Sequence, residues 1–265
     1  MALSFGSKIT TPIKYMKKML VIFGTRPEAI KLAPIVLELK KLPESYKAVV
    51  CSTGQHREML NQVLDLFQIE PDYNFDLMTE NQNLSDTTAK AMSHFQVLLS
   101  KERPDLVIIQ GDTLTTYTAA LSSYYQQVPV AHIEAGLRTY NNYHPYPEEA
   151  YRRMVTILAD YHFAPTEQTK INLMGEGIPD NRIWVTGNTG IDAFQAIVRK
   201  QNNPPYHSIL TRYFLDTWQL DLTDDHSRYV LITGHRRENF TEGIKNICRA
   251  INELARDMPI LYLFM

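Results

Sequence analysis

The sequence predicts an α/β protein of Rossmann-like, doubly wound parallel sheets, in which a second domain begins and is left incomplete. Three features carry that expectation. Short runs rich in Val, Ile and Leu are apolar throughout, as strands buried on both faces are. Between them lie stretches whose apolar residues recur at helical spacing. The strands also break directly into glycine-bearing or acid-bearing turns. Such alternation is the pattern of βαβ units, because parallel strands need a crossover that is usually a helix.

Taken in order, residues 1–15 read as a loose extension, with Met16 an alternative start. Lys17 and Lys18 precede an apolar run at 19–23, too short for a signal segment or a membrane span. That run is the first strand. It breaks at Gly24-Thr25-Arg26-Pro27-Glu28 into a helix, with Pro27 suited to the first helical position. Residues 48–52 form the next strand, and Met59, Leu60, Val63, Leu64 and Phe67 mark the amphipathic helix after it. A helix at about 85–102, a strand at 106–109, a helix at about 114–126 and a strand at 128–133 continue the alternation. A helix starting near Pro147, a strand at 161–164, a helix at 166–174 and a strand at 182–186 complete it. Gly187-Asn188-Thr189-Gly190 then turns the chain into another helix.

At 200–208 periodicity is lost around Pro204-Pro205, which predicts a linker or hinge between an N-terminal domain at 16–200 and a second unit at 201–265. The second unit reads as a strand at 229–233, a helix at about 241–256 and a strand at 260–264. One strand, one helix and a last strand bury too little area for a free-standing domain, so Ile260, Leu261, Leu263 and Phe264 are expected to lack neighbours.

The 265 residues, 44% apolar, carry a net charge of −2. No basic field for nucleic acid exists in such a chain, so an anionic ligand must be met by locally placed Arg and Lys. Cys51 and Cys248 are too distant in sequence for a metal motif and read as two reduced thiols of a cytosolic protein.

Loops leaving the carboxyl ends of parallel strands form the ligand crevice of an open α/β sheet. Asp112, in Gly111-Asp112-Thr113, and Glu134, in Glu134-Ala135-Gly136, each follow such a strand. Glu148, in Pro147-Glu148-Glu149, opens a helix on the same side. Three carboxylates aimed at one crevice suggest proton transfer; alternatively Asp112 caps the next helix and Glu148 complements a helix dipole. The turn at 24–28 has the strand, glycine, helix-start geometry that holds phosphate, with Arg26 able to add a bidentate charge. It carries one glycine where the dinucleotide fingerprint needs three, which argues against a nicotinamide cofactor. Lys31 either reaches the same anion or lies on a solvated helix face. His132, His144 and His162 lack metal-ligand spacing and read as structural or substrate-facing. The tyrosines at 140–146 could stack on a sugar, form a lid, or be simple surface.

Eight segments, FGTRPEAIK at 23–31, TGQHREML at 53–60, GDT at 111–113, HIEAGLRT at 132–139, PEE at 147–149, HFAPTE at 162–167, VTGNT at 185–189 and GHRREN at 234–239, resemble the non-hydrolysing UDP-N-acetylglucosamine 2-epimerase family. Their order and spacing match over roughly residues 16–265. The chain differs from the family's usual residues at Leu114, Tyr151 and Gly190, where threonine, asparagine and valine are common. The resemblance implies a glycosyltransferase-B arrangement of two Rossmann-like domains with a UDP-sugar in the cleft between them, and a family that continues for about another hundred residues. It implies interconversion of UDP-GlcNAc and UDP-ManNAc, without metal or other cofactor, for cell-surface polysaccharide synthesis by a cytoplasmic homodimer that binds neither nucleic acid nor membrane.

What it implies for the residues is specific. UDP is eliminated from C-1 to give 2-acetamidoglucal and re-added with opposite stereochemistry at C-2. Arg26 meets the departing diphosphate, helped by His235, Arg236 and Arg237, with Lys31 also in the substrate set. Asp112 and Glu148 form the acid/base pair, Glu134 binds the sugar or relays a proton, and His235 joins the catalytic group. Crowding in the cleft is expected to bring the carboxylates toward neutrality. Two other readings stand beside this one: a glycosyltransferase of the same architecture, and a truncated, silent nucleotide-sugar-binding fragment.

Overall fold

The computed structural model describes residues 16–54, 57–77, 83–221, 223, 229–233 and 242–263. Its contacts divide within one helix into two compact units, the first ending at Ala196 and the second starting at Ile197.

In the first unit β1 (Lys17–Phe23), β2 (Tyr46–Ser52), β3 (Tyr73–Asn74), β4 (Leu106–Gln110), β5 (Val130–Ile133), β6 (Tyr161–Ala164) and β7 (Ile183–Val185) form a single sheet. Its order is β3-β2-β1-β4-β5-β6-β7 and every pairing is parallel. The helices between them are α1 (Arg26–Lys40), α2 (Arg57–Phe67), α3 (Leu84–Glu102), α4 (Leu114–Tyr125), α5 (Glu148–Leu158) and α6 (Glu167–Gly175), and α7 (Thr189–Gln201) follows β7. The expected α/β fold is thus present, with β3 added: a two-residue strand has no periodicity to read.

Burial explains why the central strands are apolar on both faces. Leu20, Val21, Ile22 and Phe23 of β1 are all buried, as are Val107, Ile108 and Ile109 of β4. One core joins Leu20, Ile22, Val49, Cys51, Val107 and Ile109 to Phe95, Leu98 and Leu99 of α3 and Ala119 and Ala120 of α4. Cys51 and Cys248 are free, and burial pushes the Cys51 thiol pKa up, so it packs as a small apolar group.

The second unit corrects one expectation. Residues 200–208 are no irregular linker: after α7, helix α8 (Pro204–Trp218) starts at the Pro-Pro step itself. Proline lacks an N–H that the first helical turn would leave unpaired anyway, so two prolines open a helix as readily as they break one. Beyond it, β8 (Val230–Thr233) and β9 (Ile260–Leu263) pair in parallel, with α9 (Glu242–Leu254) between them. The edge residues Ile260 and Leu261 are half-buried, whereas Ile209, Leu215, Trp218 and Leu231 are exposed. Phe264 lies outside the described residues.

Candidate active site

The strand order reverses between β1 and β4, so the loops leaving these two strands diverge and open a crevice at the carboxyl edge of the sheet. A cavity of about 530 Å³ lies there, lined by Arg26, Lys31, Asp112, Glu134 and Glu148 among others. Five residues singled out from the sequence therefore share one crevice. His235, Arg236 and Arg237 lie outside the described residues.

The first wall is the turn from β1 into α1. Only glycine fits at Gly24: a Cβ there would stand 2.2 Å from Thr53 Oγ1 and 2.3 Å from Thr115 Oγ1. Those two hydroxyls are hydrogen-bonded to each other at 2.9 Å, closing β2 and α4 around the turn. Thr25 caps α1, and its side chain and that of Glu28 form a reciprocal capping box. The expectation of a phosphate-ready set of amides needs correcting here. The Gly24 and Thr25 amides donate to Glu28 Oε2 at 2.9 and 2.7 Å, and the Glu28 amide donates to Thr25 Oγ1. The protein's own carboxyl group occupies them, leaving Arg26 and Lys31 as the cations this turn presents to the cavity.

The second wall is the turn after β4, where Gly111 has φ of 75°. Thr113, not Asp112, caps α4, its hydroxyl accepting from the Thr116 amide. The capping alternative for Asp112 is thereby excluded. Asp112 instead pairs with Arg152 of α5, whose second amino group donates to the buried Glu149 at 3.2 Å. Glu149 in turn accepts the Thr139 and Tyr140 amides, so it fixes both Arg152 and the loop before α5.

Glu134, at the end of β5, is held with φ of 63°, a conformation uncommon outside glycine that marks sites over-determined by their surroundings. Its Oε2 accepts from Lys31 Nζ at 2.5 Å and from Gln110 Nε2 at 2.5 Å, and its Oε1 accepts from Asn188 Nδ2 at 3.0 Å. Lys31 is thus directed into the site, and the solvated-face alternative fails. Glu148, in the first turn of α5, has a buried Oε2 with no hydrogen-bond partner among the described residues. Asp112 and Glu134 are each met by a cation, Arg152 and Lys31 respectively.

His132 and His162 take the structural role. They lie side by side on β5 and β6, 1% and 0% exposed. Burial pushes the His132 pKa down to about 3 and that of His162 to about 4. A neutral His132 donates from Nε2 to the Gly111 carbonyl at 2.7 Å and so braces the turn that carries Asp112. His144 and the tyrosines at 140, 143 and 146 are exposed. Among the described residues no cluster of His, Cys, Asp and Glu could hold a metal ion, and no helix is long and apolar enough to cross a membrane.

Comparison with known proteins follows the same lines. The sequence model of the UDP-N-acetylglucosamine 2-epimerase family matches residues 38–265. A protein of Neisseria meningitidis serogroup A named UDP-N-acetylglucosamine 2-epimerase is 48% identical over 242 residues, covering 91% of this chain and 63% of the relative. One of Salmonella typhimurium with the same name is 47% identical over 254 residues, covering 92% of this chain and 64% of the relative. The chain therefore spans just under two thirds of their length. The crystal structure of UDP-GlcNAc 2-epimerase from Neisseria meningitidis bound to UDP-GlcNAc superposes with a TM-score of 0.83 at 47% identity, over 92% of this chain and 65% of that one. That of Methanocaldococcus jannaschii UDP-GlcNAc 2-epimerase in complex with UDP-GlcNAc and UDP gives 0.74 at 33% identity, over 92% and 65%.

Proposed function

This chain belongs to the UDP-N-acetylglucosamine 2-epimerase family, and on that premise we propose that it interconverts UDP-GlcNAc and UDP-ManNAc by eliminating and re-adding UDP. The observation that carries the proposal is the convergence of Arg26, Lys31, Asp112, Glu134 and Glu148 on one cavity at the topological switch point. Inverting C-2 needs a base on one face, an acid on the other, and cations where charge develops on the leaving diphosphate.

In the forward direction one carboxylate takes the C-2 proton while the C-1–O bond breaks, its electron pair leaving with UDP and a C-1–C-2 double bond forming. In the return step a diphosphate oxygen re-forms the bond to C-1, and a proton is delivered to the opposite face of C-2. We assign the two proton transfers to Asp112 and Glu148. Glu148 presents a buried oxygen with no hydrogen-bond partner among the described residues, and Asp112 lines the same cavity from the loop after β4. Glu134, already held by Lys31, Gln110 and Asn188, is suited to orienting the sugar or relaying a proton. Arg26 meets the diphosphate; the substrate-binding and catalytic roles that the family resemblance implies for His235 and Arg236 belong to the same proposal. A cytoplasmic homodimer, acting without a cofactor, is the form we propose for the enzyme.

The test is to incubate the chain, alone and fused to the remaining segment of the meningococcal relative, with UDP-GlcNAc in deuterated water. Deuterium at C-2 is expected, with Asp112→Asn and Glu148→Gln lowering turnover by at least ~100-fold while UDP affinity changes little. No incorporation in either form would overturn the reading, and equal loss of binding and turnover would overturn the two assignments.

A further inference from the structure

Glu28 is a buried carboxyl group, 2% exposed, whose two oxygens are divided between two different turns. Oε2 accepts the amides of Gly24 and Thr25 at 2.9 and 2.7 Å. Oε1 lies 2.6 Å from Thr113 Oγ1 and 2.9 Å from Thr116 Oγ1, on groups 85 and 88 residues further along the chain. The Thr25 bond is what a capping box requires of a third helical residue, and the Gly24 bond serves the same turn; the second pair does neither. Capping α1 gives Glu28 no reason to reach α4. Thr116 Oγ1 is also 2.7 Å from the Gln110 carbonyl, so the network extends into the end of β4.

The positions of the bonded groups give the network its meaning. Thr25 precedes Arg26, and Thr113 follows Asp112, so the residues at either end of this bridge adjoin a cation and a carboxylate that face the same cavity. The geometry points to Glu28 as a positioning residue that fixes the turn carrying Arg26 relative to the turn carrying Asp112. This inference deepens the epimerase reading and rests on it. All four partners are amides or hydroxyls, and burial raises the pKa of the carboxyl group. With no ion pair holding it among the described residues, the bridge depends on its length and on its hydrogen bonds.

Length is therefore the property to perturb. Glu28→Asp keeps a carboxylate at the start of α1 but shortens the side chain by one carbon–carbon bond, ~1.5 Å, so it can serve its own turn and not both. UDP affinity, measured by calorimetry, is expected to stay within about threefold, while C-2 exchange in deuterated water slows about 10- to 100-fold, the scale on which ~1 Å of misplacement acts. Hydrogen exchange of the amides at 110–116 should quicken in the same variant. Thr116→Val, which leaves Glu28 and the cavity lining intact, supplies an independent cut at the other end and should slow exchange at C-2 about 3- to 10-fold with UDP affinity unchanged. Wild-type turnover in both variants overturns the proposal, whatever the amides do, and so does a parallel fall in UDP affinity and turnover. If the wild-type protein itself fails to exchange C-2, the epimerase reading falls, and unaltered amide exchange at 110–116 in both variants would independently dismiss the bridge.

Discussion

Two adjacent histidines in the sheet make stability depend on pH in a calculable way. His132 and His162 have pKa values of about 3 and about 4 in the folded protein, with burial the largest cause in each. In the unfolded chain both return to about 6.5. Between these values the unfolded state binds more protons than the native one, so stability falls as pH falls below 6.5 and the loss ends only as pH reaches the folded pKa values. From pH 7 to pH 5 each histidine contributes a loss of about 2 kcal/mol, together about 4 kcal/mol, a large share of a typical domain's stability.

Other groups either cancel in the comparison or act outside the window. Glu28, whose folded pKa is raised, has the opposite sign: the native state takes up its proton first as pH falls, which adds stability. Glu102, Asp105 and Glu176 have lowered pKa values, so what they contribute is lost at more acid pH than 5. The double variant His132→Gln, His162→Leu isolates the effect. Glutamine keeps a donor for the Gly111 carbonyl, and leucine at 162 fills the same buried site with a group that does not titrate. Urea unfolding can be followed through Trp184, which stacks on Phe163 next to His162, in a Trp218→Phe background. The double variant should lose about 4 kcal/mol less than its parent between pH 7 and pH 5, and each single variant about 2 kcal/mol less. Equal slopes in parent and double variant would show that these histidines are protonated in the folded protein, and would refute the reasoning.

Two further substitutions test the frame and the anion site. Gly136 has φ of 89°, and a Cβ there would stand 2.3 Å from the Thr169 carbonyl oxygen, so Gly136→Ala should cost about 2–5 kcal/mol by thermal unfolding; unchanged stability would mean that β5 and α6 separate readily. Arg26→Ala should weaken UDP binding about 10- to 100-fold, the scale of a lost charge-assisted hydrogen bond; unchanged affinity by calorimetry would place the diphosphate elsewhere.

Much of this fold was legible because parallel sheets write themselves locally. Buried strands such as 19–23 and 106–109 are apolar in every residue, and the helix after each shows its own period, so element type and order follow from short windows. What failed had no local signature or an ambiguous one. Strand β3 is two residues long, and Pro204-Pro205 is chemically suited both to breaking a chain and to opening a helix. Only the helical run after Tyr206 decides for the helix, and it is partly masked by the polar residues at 207, 208 and 212.

The site divides along the same line. Asp112 and Glu134 could be placed because each follows its strand immediately, and the sheet delivers every such residue to one edge. Their partners reach them by another route. Arg152 arrives from α5, 40 residues beyond Asp112, and Lys31 comes from α1, 103 residues before Glu134. Helix packing brings those cations in, and helix packing depends on which neighbours cover each face of the sheet, a property no window of sequence contains. The alternatives left open for Lys31 and Asp112 were therefore of a kind that only tertiary contacts resolve. Glu28 shows the limit most clearly: Thr25-Arg26-Pro27-Glu28 has the spacing of a capping box, which the reading as a phosphate-holding turn passed over, and the same local pattern conceals the second oxygen that reaches across to Thr113. A motif that is locally satisfied offers no sign of a further, distant partner.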